Sequence, residues 1–291
     1  MKALSQFRQI MITSPAKLSL KNDSLVIKTV DADQEQTLCQ LSTLLVDTDQ
    51  CIITAPLLAA LNSNHVNLVI TNRHHLPTLN SNRLKISQQF GWNNDNKSTV
   101  WQAIIREKLK MQAKLLSYLK LKSFTIPKST ITDPIEAQAA KMYFNQLFGN
   151  SFARDFDNNE SINAQLNYGY AIAVNFIATQ IYSHGYLPEI GIHHHSVNNQ
   201  LNLACDLVEP FRPLVDYLVY QHQDDKFDQL ARVRLTDLLN LVVTYNGKKY
   251  DTLSNCLIAY VTDVLNALCN KDAFRIKLEV NHEDYEAISH V

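Results

Sequence analysis

Over roughly the first seventy residues, apolar and polar positions alternate in short runs. Gln9-Ile-Met-Ile-Thr13, Lys17-Leu-Ser-Leu-Lys21 and Ser24-Leu-Val-Ile-Lys28 are parted by turn residues such as Lys21-Asn-Asp23. Alternation broken by turn formers predicts half-buried β-strands. Leu44–Val46, Cys51–Thr54 and Val66–Thr71 extend that sheet, and the Ala/Leu-rich Pro56–Leu61 predicts a short helix between the last two. From Asn72 to Asn96 the pattern fades into Asn, Ser, Gln and His around Pro77 and Gly91, a connector carrying at most an edge strand.

After Ser98 the period becomes helical. Val100, Ile104, Ile105, Leu109, Leu115, Leu116 and Leu119 recur at three- and four-residue steps, the apolar stripe of an amphipathic helix. Helices are also predicted over Ile135–Phe148, stopped by Gly149, and Ser161–Tyr182, stopped near Gly185. Leu214–Tyr220, Leu230–Tyr245 and Thr252–Leu268 follow with the same period. The expectation is an α+β chain: a small β-rich amino-terminal domain with its connector over residues 1–90, then a larger all-α domain over 91–291.

Composition narrows the function. At 291 residues and 46% apolar, the chain has enough material for a core in each domain. No apolar run approaches the ~18 residues of a membrane span, and no basic-then-apolar leader opens the sequence, so a cytoplasmic protein without membrane contact is expected. Cys39, Cys51, Cys205, Cys256 and Cys269 form no C-x-x-C pair, which suits a reducing compartment and speaks against a zinc ribbon. With 6 glycines and no G-x-G-x-x-G or G-x-x-x-x-G-K-[ST] pattern, nucleotide-cofactor and ATPase readings lose their support.

The formal net charge of −1 conceals a segregation. Between Lys97 and Lys128 the basic residues, among them Arg106, Lys108, Lys110 and Lys114, face the single acid Glu107, whereas Glu279, Glu283, Asp284 and Glu286 crowd the tail. The basic helix is a candidate phosphate-binding face; a solvated face beside a packed stripe gives the same pattern. Asn167 and Tyr168 on the long helix could reach the same substrate, although aromatic residues at such spacing commonly pack, and Tyr170 is not assigned a catalytic role.

The densest chemistry lies in Gly191-Ile-His-His-His195 followed by Asp206-Leu-Val-Glu-Pro-Phe-Arg-Pro213. Asp206 and Glu209, three apart, fall on one side of a helix, and with a histidine they make half of a divalent-metal site. Glu136, just after the helix entry Asp133-Pro134, is the candidate for the other half, and Ala137, Ala139 and Ala140 beside it leave room for a substrate. Ordinary roles compete: Asp206 as a helix cap, and Glu136 and Glu209 as first-turn acids that complement the helix dipole. Arg212, between two prolines, could contact a phosphate, clamp the Glu209 turn or serve as a structural ion-pair partner.

Four ordered motifs carry a resemblance. Ala16–Ile27, Glu136-Ala-Gln-Ala-Ala-Lys-Met-Tyr-Phe144 with its continuation to Phe148, Leu166-Asn-Tyr-Gly-Tyr-Ala-Ile172, and Gly191-Ile-His-His194 with Asp206–Pro213 together resemble the CRISPR-associated integrase that captures spacers, in its type II version. Ala137 and Val208 stand where members often carry glycine and methionine, and neither change removes a ligand. The resemblance implies that Glu136, His194 and Glu209 hold one catalytic divalent ion, with Asp206 and Arg212 in supporting positions and His193 or His195 as alternates. Two carboxylates and one imidazole suit Mg2+ or Mn2+ better than zinc; two histidines and one carboxylate would suggest non-haem iron instead.

The implied reaction is insertion of short foreign DNA into a CRISPR repeat by attack of a DNA 3′-hydroxyl on a phosphodiester, in prokaryotic adaptive immunity. Implied partners are double-stranded DNA (prespacer and repeat), a second copy in a homodimer formed through the amino-terminal sheet, and a dimer of a smaller acquisition subunit bridging two homodimers. A standalone metal-dependent nuclease and a non-catalytic helical DNA-binding scaffold are the rival expectations.

Overall fold

The computed structural model describes residues 8–30, 32–64, 66–71, 83–155, 161–270 and 274–280. The chain divides into two compact units, Met1–Leu79 and Asn80–Val291. Residues 72–82 of the expected connector, and the tail acids Glu283, Asp284 and Glu286, lie outside the described residues.

The first unit contains two sheets. β1 (Arg8–Ile12), β5 (Leu41–Val46) and β7 (Asn67–Ile70) form a parallel three-stranded sheet in the order β1-β5-β7. β2 (Ala16–Lys21), β3 (Ser24–Lys28), β4 (Asp33–Thr37) and β6 (Cys51–Ile53) form the other, in the order β4-β3-β2-β6. Asn22 and Asp23 hold positive φ (48° and 56°) in the β2–β3 hairpin, where short polar side chains tolerate the left-handed turn. The register pairs Leu18 with Ile27 and Leu20 with Leu25. Leu18, Leu25 and Ile27 then join Leu44, Val46 and the α1 (Ala55–Ser63) residues Leu57 and Leu61 in one buried core. The polar β4, Asp-Gln-Glu-Gln-Thr, lacks the apolar alternation by which the other strands were predicted; it is an exposed strand carried by its ladder to β3.

The second unit is mainly helical. α2 (Arg83–Phe90) occupies the stretch read from sequence as connector, and α3 (Asn94–Tyr118) starts four residues before Ser98 because Asn93 caps it, accepting from the Asp95 and Asn96 N–H groups. α4 (Asp133–Phe148) opens on Pro134 at its first turn and stops at Gly149, φ 91°. α5 (Ser161–Ser183), α6 (Asn202–Val208), a 3-10 turn Glu209–Phe211 and α7 (Arg212–Gln221) follow. α8 (Gln229–Asp237) and α9 (Leu253–Asn270) complete the helical layers.

One predicted helix is divided. Leu230–Tyr245 ends as helix at Asp237, passes a 3-10 turn, and continues as strand β8 (Val243–Tyr245), which pairs with β9 (Lys248–Tyr250) and β10 (Leu278–Glu279). Asn246 and Gly247, both at positive φ, close the β8–β9 hairpin. The mainly helical unit therefore carries a small sheet of its own.

α3 packs against α4, α6, α7, α9 and the Glu209–Phe211 turn. Its side chains also set the path into α4. Gln102 donates to and accepts from the Ile131 backbone at 2.8 Å each, and Arg106 donates to the carbonyls of Pro127 (2.6 Å) and Ser129 (2.7 Å). The extended segment so held delivers the first turn of α4, which carries Glu136.

Candidate active site

The loop that carries the histidines is built around a buried acid. Asp206, fully buried on α6, accepts the backbone N–H groups of Ile192 (2.7 Å), His193 (3.0 Å) and His194 (3.1 Å), and its Oδ1 lies 2.6 Å from His194 Nδ1. That wrap demands glycine at 191: a Cβ there would sit 2.2 Å from the His194 carbonyl oxygen and 2.8 Å from Asp206 Oδ2. The loop is tied from its other side by Gln89 of α2, which donates to the Leu187 and Ile190 carbonyls and accepts from the Leu187 N–H. Asp206 is thus a mid-helix organiser of the loop rather than a cap.

The three histidines separate in role. His193 stacks on Trp101 of α3, centroids 4.1 Å apart and 8° between planes, with Nε2 3.5 Å from Asp133. His195 is exposed. Of the three rings, that of His194 bonds Asp206; that hydrogen bond and the carboxylate charge raise its pKa against the opposing effect of burial. With Nδ1 committed to Asp206, Nε2 is the nitrogen left for a ligand, as in carboxylate–histidine–metal arrangements.

Glu136 and Glu209 meet at one ammonium. Lys108 Nζ lies 2.7 Å from Glu136 Oε1 and 2.5 Å from Glu209 Oε2. Arg212 approaches Glu209 Oε1 through Nε at 3.1 Å. Burial acts to raise the Glu209 carboxyl, but Arg212 and Lys108, with His194 beyond them, outweigh it and hold the pKa below the ordinary value. Lys108 is the mirror case: burial acts to lower it, and Glu209 and Glu136 more than compensate. Arg212 Nε is not aligned as a hydrogen-bond donor, and the buried Oε2 is met by the Lys108 ammonium.

A further layer supports Arg212. Its guanidinium lies 4.6 Å from the Tyr170 ring centroid, and Tyr170 donates its hydroxyl to Asp216 Oδ1 while Tyr143 donates to Asp216 Oδ2 at 2.8 Å. Arg154 approaches the same ring at 5.3 Å and donates to Asn163 (3.0 Å) and Asn167 (2.6 Å).

The other predicted contact residues are accounted for individually. Lys108 is buried, so its place is on the acids rather than on an open face. Exposed Lys110 pairs with Glu107 at 3.0 Å, and exposed Lys114 donates to the Leu278 carbonyl at 2.8 Å. Arg106 is bound to Pro127 and Ser129, and Asn167 to Arg154. Tyr168 packs edge-on against Phe227 at 5.5 Å. Sequence reasoning missed Gln89, Trp101 and the burial of Lys108. A signal existed for the last two, since Trp101 and Lys108 lie on the stripe of Val100, Ile104 and Ile105 at helical steps.

Among the described residues no group of three His, Cys, Asp or Glu side chains is gathered closely enough to hold an ion as it stands, Lys108 lying between the two glutamates. The donor set still fits a hard divalent cation: two carboxylates drawn to one cationic point, and an imidazole oriented through its other nitrogen. No described helix is long and apolar enough to cross a membrane.

Comparison with known proteins agrees with this architecture. Residues 128–236, which span Glu136, His194 and Glu209, match the family model "CRISPR associated protein Cas1". The CRISPR-associated endonuclease Cas1 of Neisseria meningitidis serogroup C is 34% identical over 293 aligned positions, 94% of this chain and 95% of that one. In fold, the chain is similar to a casposase bound to its integration product (TM-score 0.57, 18% identity, 92% of each chain). It is also similar to a partial Cas6-RT-Cas1–Cas2 complex (TM-score 0.51, 19% identity, 92% of this chain and 97% of that one). Identity of 34% sustained over nearly the whole of both sequences places the chain in the CRISPR-associated Cas1 family.

Proposed function

We propose that the chain inserts short foreign DNA duplexes into a CRISPR repeat by attack of a DNA 3′-hydroxyl on a phosphodiester, with Glu136, His194 and Glu209 holding one Mg2+ or Mn2+. The observation that carries this is the convergence of two carboxylates from α4 and the 3-10 turn on one cationic point, with an oriented imidazole acting on one of them electrostatically. A bound divalent ion supplies charge neutralisation at non-bridging phosphate oxygens and a common point for attacker and scissile phosphate.

The chain's own residues do the rest. Asp206 keeps the His194 proton on Nδ1, so that Nε2 offers a lone pair. Arg212, braced on Tyr170, fixes the Glu209 carboxylate. Ala137 is exposed beside Glu136, leaving that turn open to a DNA backbone. Lys110 and Lys114 on the exposed side of α3, with Arg106, Asn167 and Tyr168, are the proposed duplex contacts, each exchanging or sharing an internal partner when DNA binds. A homodimer through the amino-terminal unit, and a dimer of a smaller acquisition subunit bridging two such homodimers, complete the reading. It is supported by the family and by the fold shared with a Cas1–Cas2-containing complex.

The test is strand transfer of a prespacer into repeat DNA with Mn2+ and the small subunit, comparing wild type with E136Q, H194A and E209Q. Each variant, and chelator added to wild type, should reduce joining to background. Joining retained by the three variants would leave only the scaffold reading. A prespacer with a blocked 3′ end separates the nuclease: joining should stop, and continued hydrolysis of the DNA would favour a standalone nuclease.

A further inference from the structure

We infer that Lys108 is an exchangeable internal counter-ion, holding Glu136 and Glu209 together in the metal-free protein and leaving them when a divalent cation enters. The inference rests on the metal site proposed above and concerns how that site is kept intact before loading.

Three observations carry it. Lys108 lies on the packed face of α3, between Ile104 and Gln112, where an ammonium is tolerated only if paired. Its pairing is with both glutamates at once, at 2.7 and 2.5 Å, so one nitrogen stands between the two carboxylates proposed to hold the divalent ion. Glu209 Oε2 is buried with this ammonium as its partner, so the charge it meets there is one that another cation can supply.

Charge and side-chain chemistry give the direction of exchange. Lys108 and Arg212 balance the two carboxylates one for one. Adding a doubly charged ion with Lys108 still in place would set like charges against each other within a buried space, so the ammonium must withdraw. A lysine can do so: its charge is compact and its stem is four flexible carbons, whereas Arg212 is held by the Tyr170 ring as well as by Glu209. Apparent metal affinity is lowered by the population in which Lys108 occupies the site.

The test uses the full chain and reads metal binding and stability, not joining. Free Mn2+ measured by electron paramagnetic resonance gives the affinity, and thermal unfolding with and without Mn2+ gives the linkage. K108M should bind Mn2+ more tightly, by about tenfold if Lys108 holds the site nine parts in ten. It should melt lower than wild type without metal and gain more from Mn2+. A folded K108M with equal or weaker Mn2+ affinity overturns the inference while leaving the site reading intact. E136Q and E209Q that bind Mn2+ like wild type would overturn the site reading itself. If K108M does not fold, the wild-type chain answers: in 15N-lysine-labelled protein, the Lys108 ammonium resonance, shielded from water by its carboxylates, should vanish as Mg2+ is added. Its persistence in the Mg2+-loaded protein overturns the inference.

Discussion

Two buried aspartates near the site do opposite electrostatic work. Asp206 gathers three backbone N–H groups and an imidazole, so its charge is matched on every side. Among the described residues Asp216 on α7 receives two tyrosine hydroxyls, and burial pushes its pKa up to about 6 against their pull and that of Arg212. An acid whose folded pKa exceeds its unfolded value binds more protons folded than unfolded across the interval between them. Stability is therefore lost as pH rises from about 4 to about 6 and is flat above. The span is at most about 3 kcal/mol for a shift of roughly two units. D216N should flatten that segment of the curve, as read by urea unfolding at a series of pH values with no divalent metal; an unchanged slope would place the titration elsewhere. At this scale the sequence disclosed residue types but not their burial. His193, His194 and His195 stand side by side in the chain, and their surroundings separate them: His193 stacks on Trp101, while Asp206, twelve residues beyond His194 in sequence, takes His194 Nδ1.

Between elements, a glycine sets how closely α5 and α7 approach. A Cβ on Gly169 of α5 would lie 2.4 Å from Val215 Cγ1 of α7 and 3.2 Å from Leu235 Cδ2. The neighbouring Tyr170 reaches Asp216 across this junction, so the spacing of α5 and α7 also sets the support under Arg212. G169A should destabilise by about 1–3 kcal/mol through overpacking, and V215A in the same chain should restore part of that loss. A chemical-denaturation double-mutant cycle checks it, and additive effects would show that the two sites do not touch. Helices with long uninterrupted stripes, α3, α4 and α5, were legible from period alone, to within a few residues at each end. The failures have physical causes. Leu235-Thr-Asp-Leu-Leu-Asn-Leu241 keeps a helical period into Val242-Val-Thr244, and only the downstream Asn246-Gly247 turn reveals that the β-branched run belongs to a hairpin. α2 carries too few apolar residues to signal a helix, and is ordered instead by what Gln89 holds.

The described residues form two cores rather than one. The buried cluster of the first unit runs from Ile12 to Val66 and that of the second from Trp92 to Leu278, and no residue belongs to both. A closed core is the condition for independent folding, so residues 80–291 made alone should unfold in one cooperative transition and bind Mn2+ with the affinity of the full chain. What the fragment should lose is self-association. At the ends of its sheets the first unit exposes two apolar side chains, Met11 on β1 (58% exposed) and Ile52 on β6 (63%). Sheet edges bearing exposed apolar residues are surfaces that a second copy can cover. Light scattering coupled to size exclusion should therefore give a dimer mass for the full chain and a monomer mass for 80–291. A dimeric fragment would move the interface to the helical unit, and a monomeric full chain would remove the homodimer from the proposed assembly. The Mn2+ titration on the same fragment keeps these outcomes separate from the metal site, because Glu136, His194, Glu209 and Lys108 all lie within it.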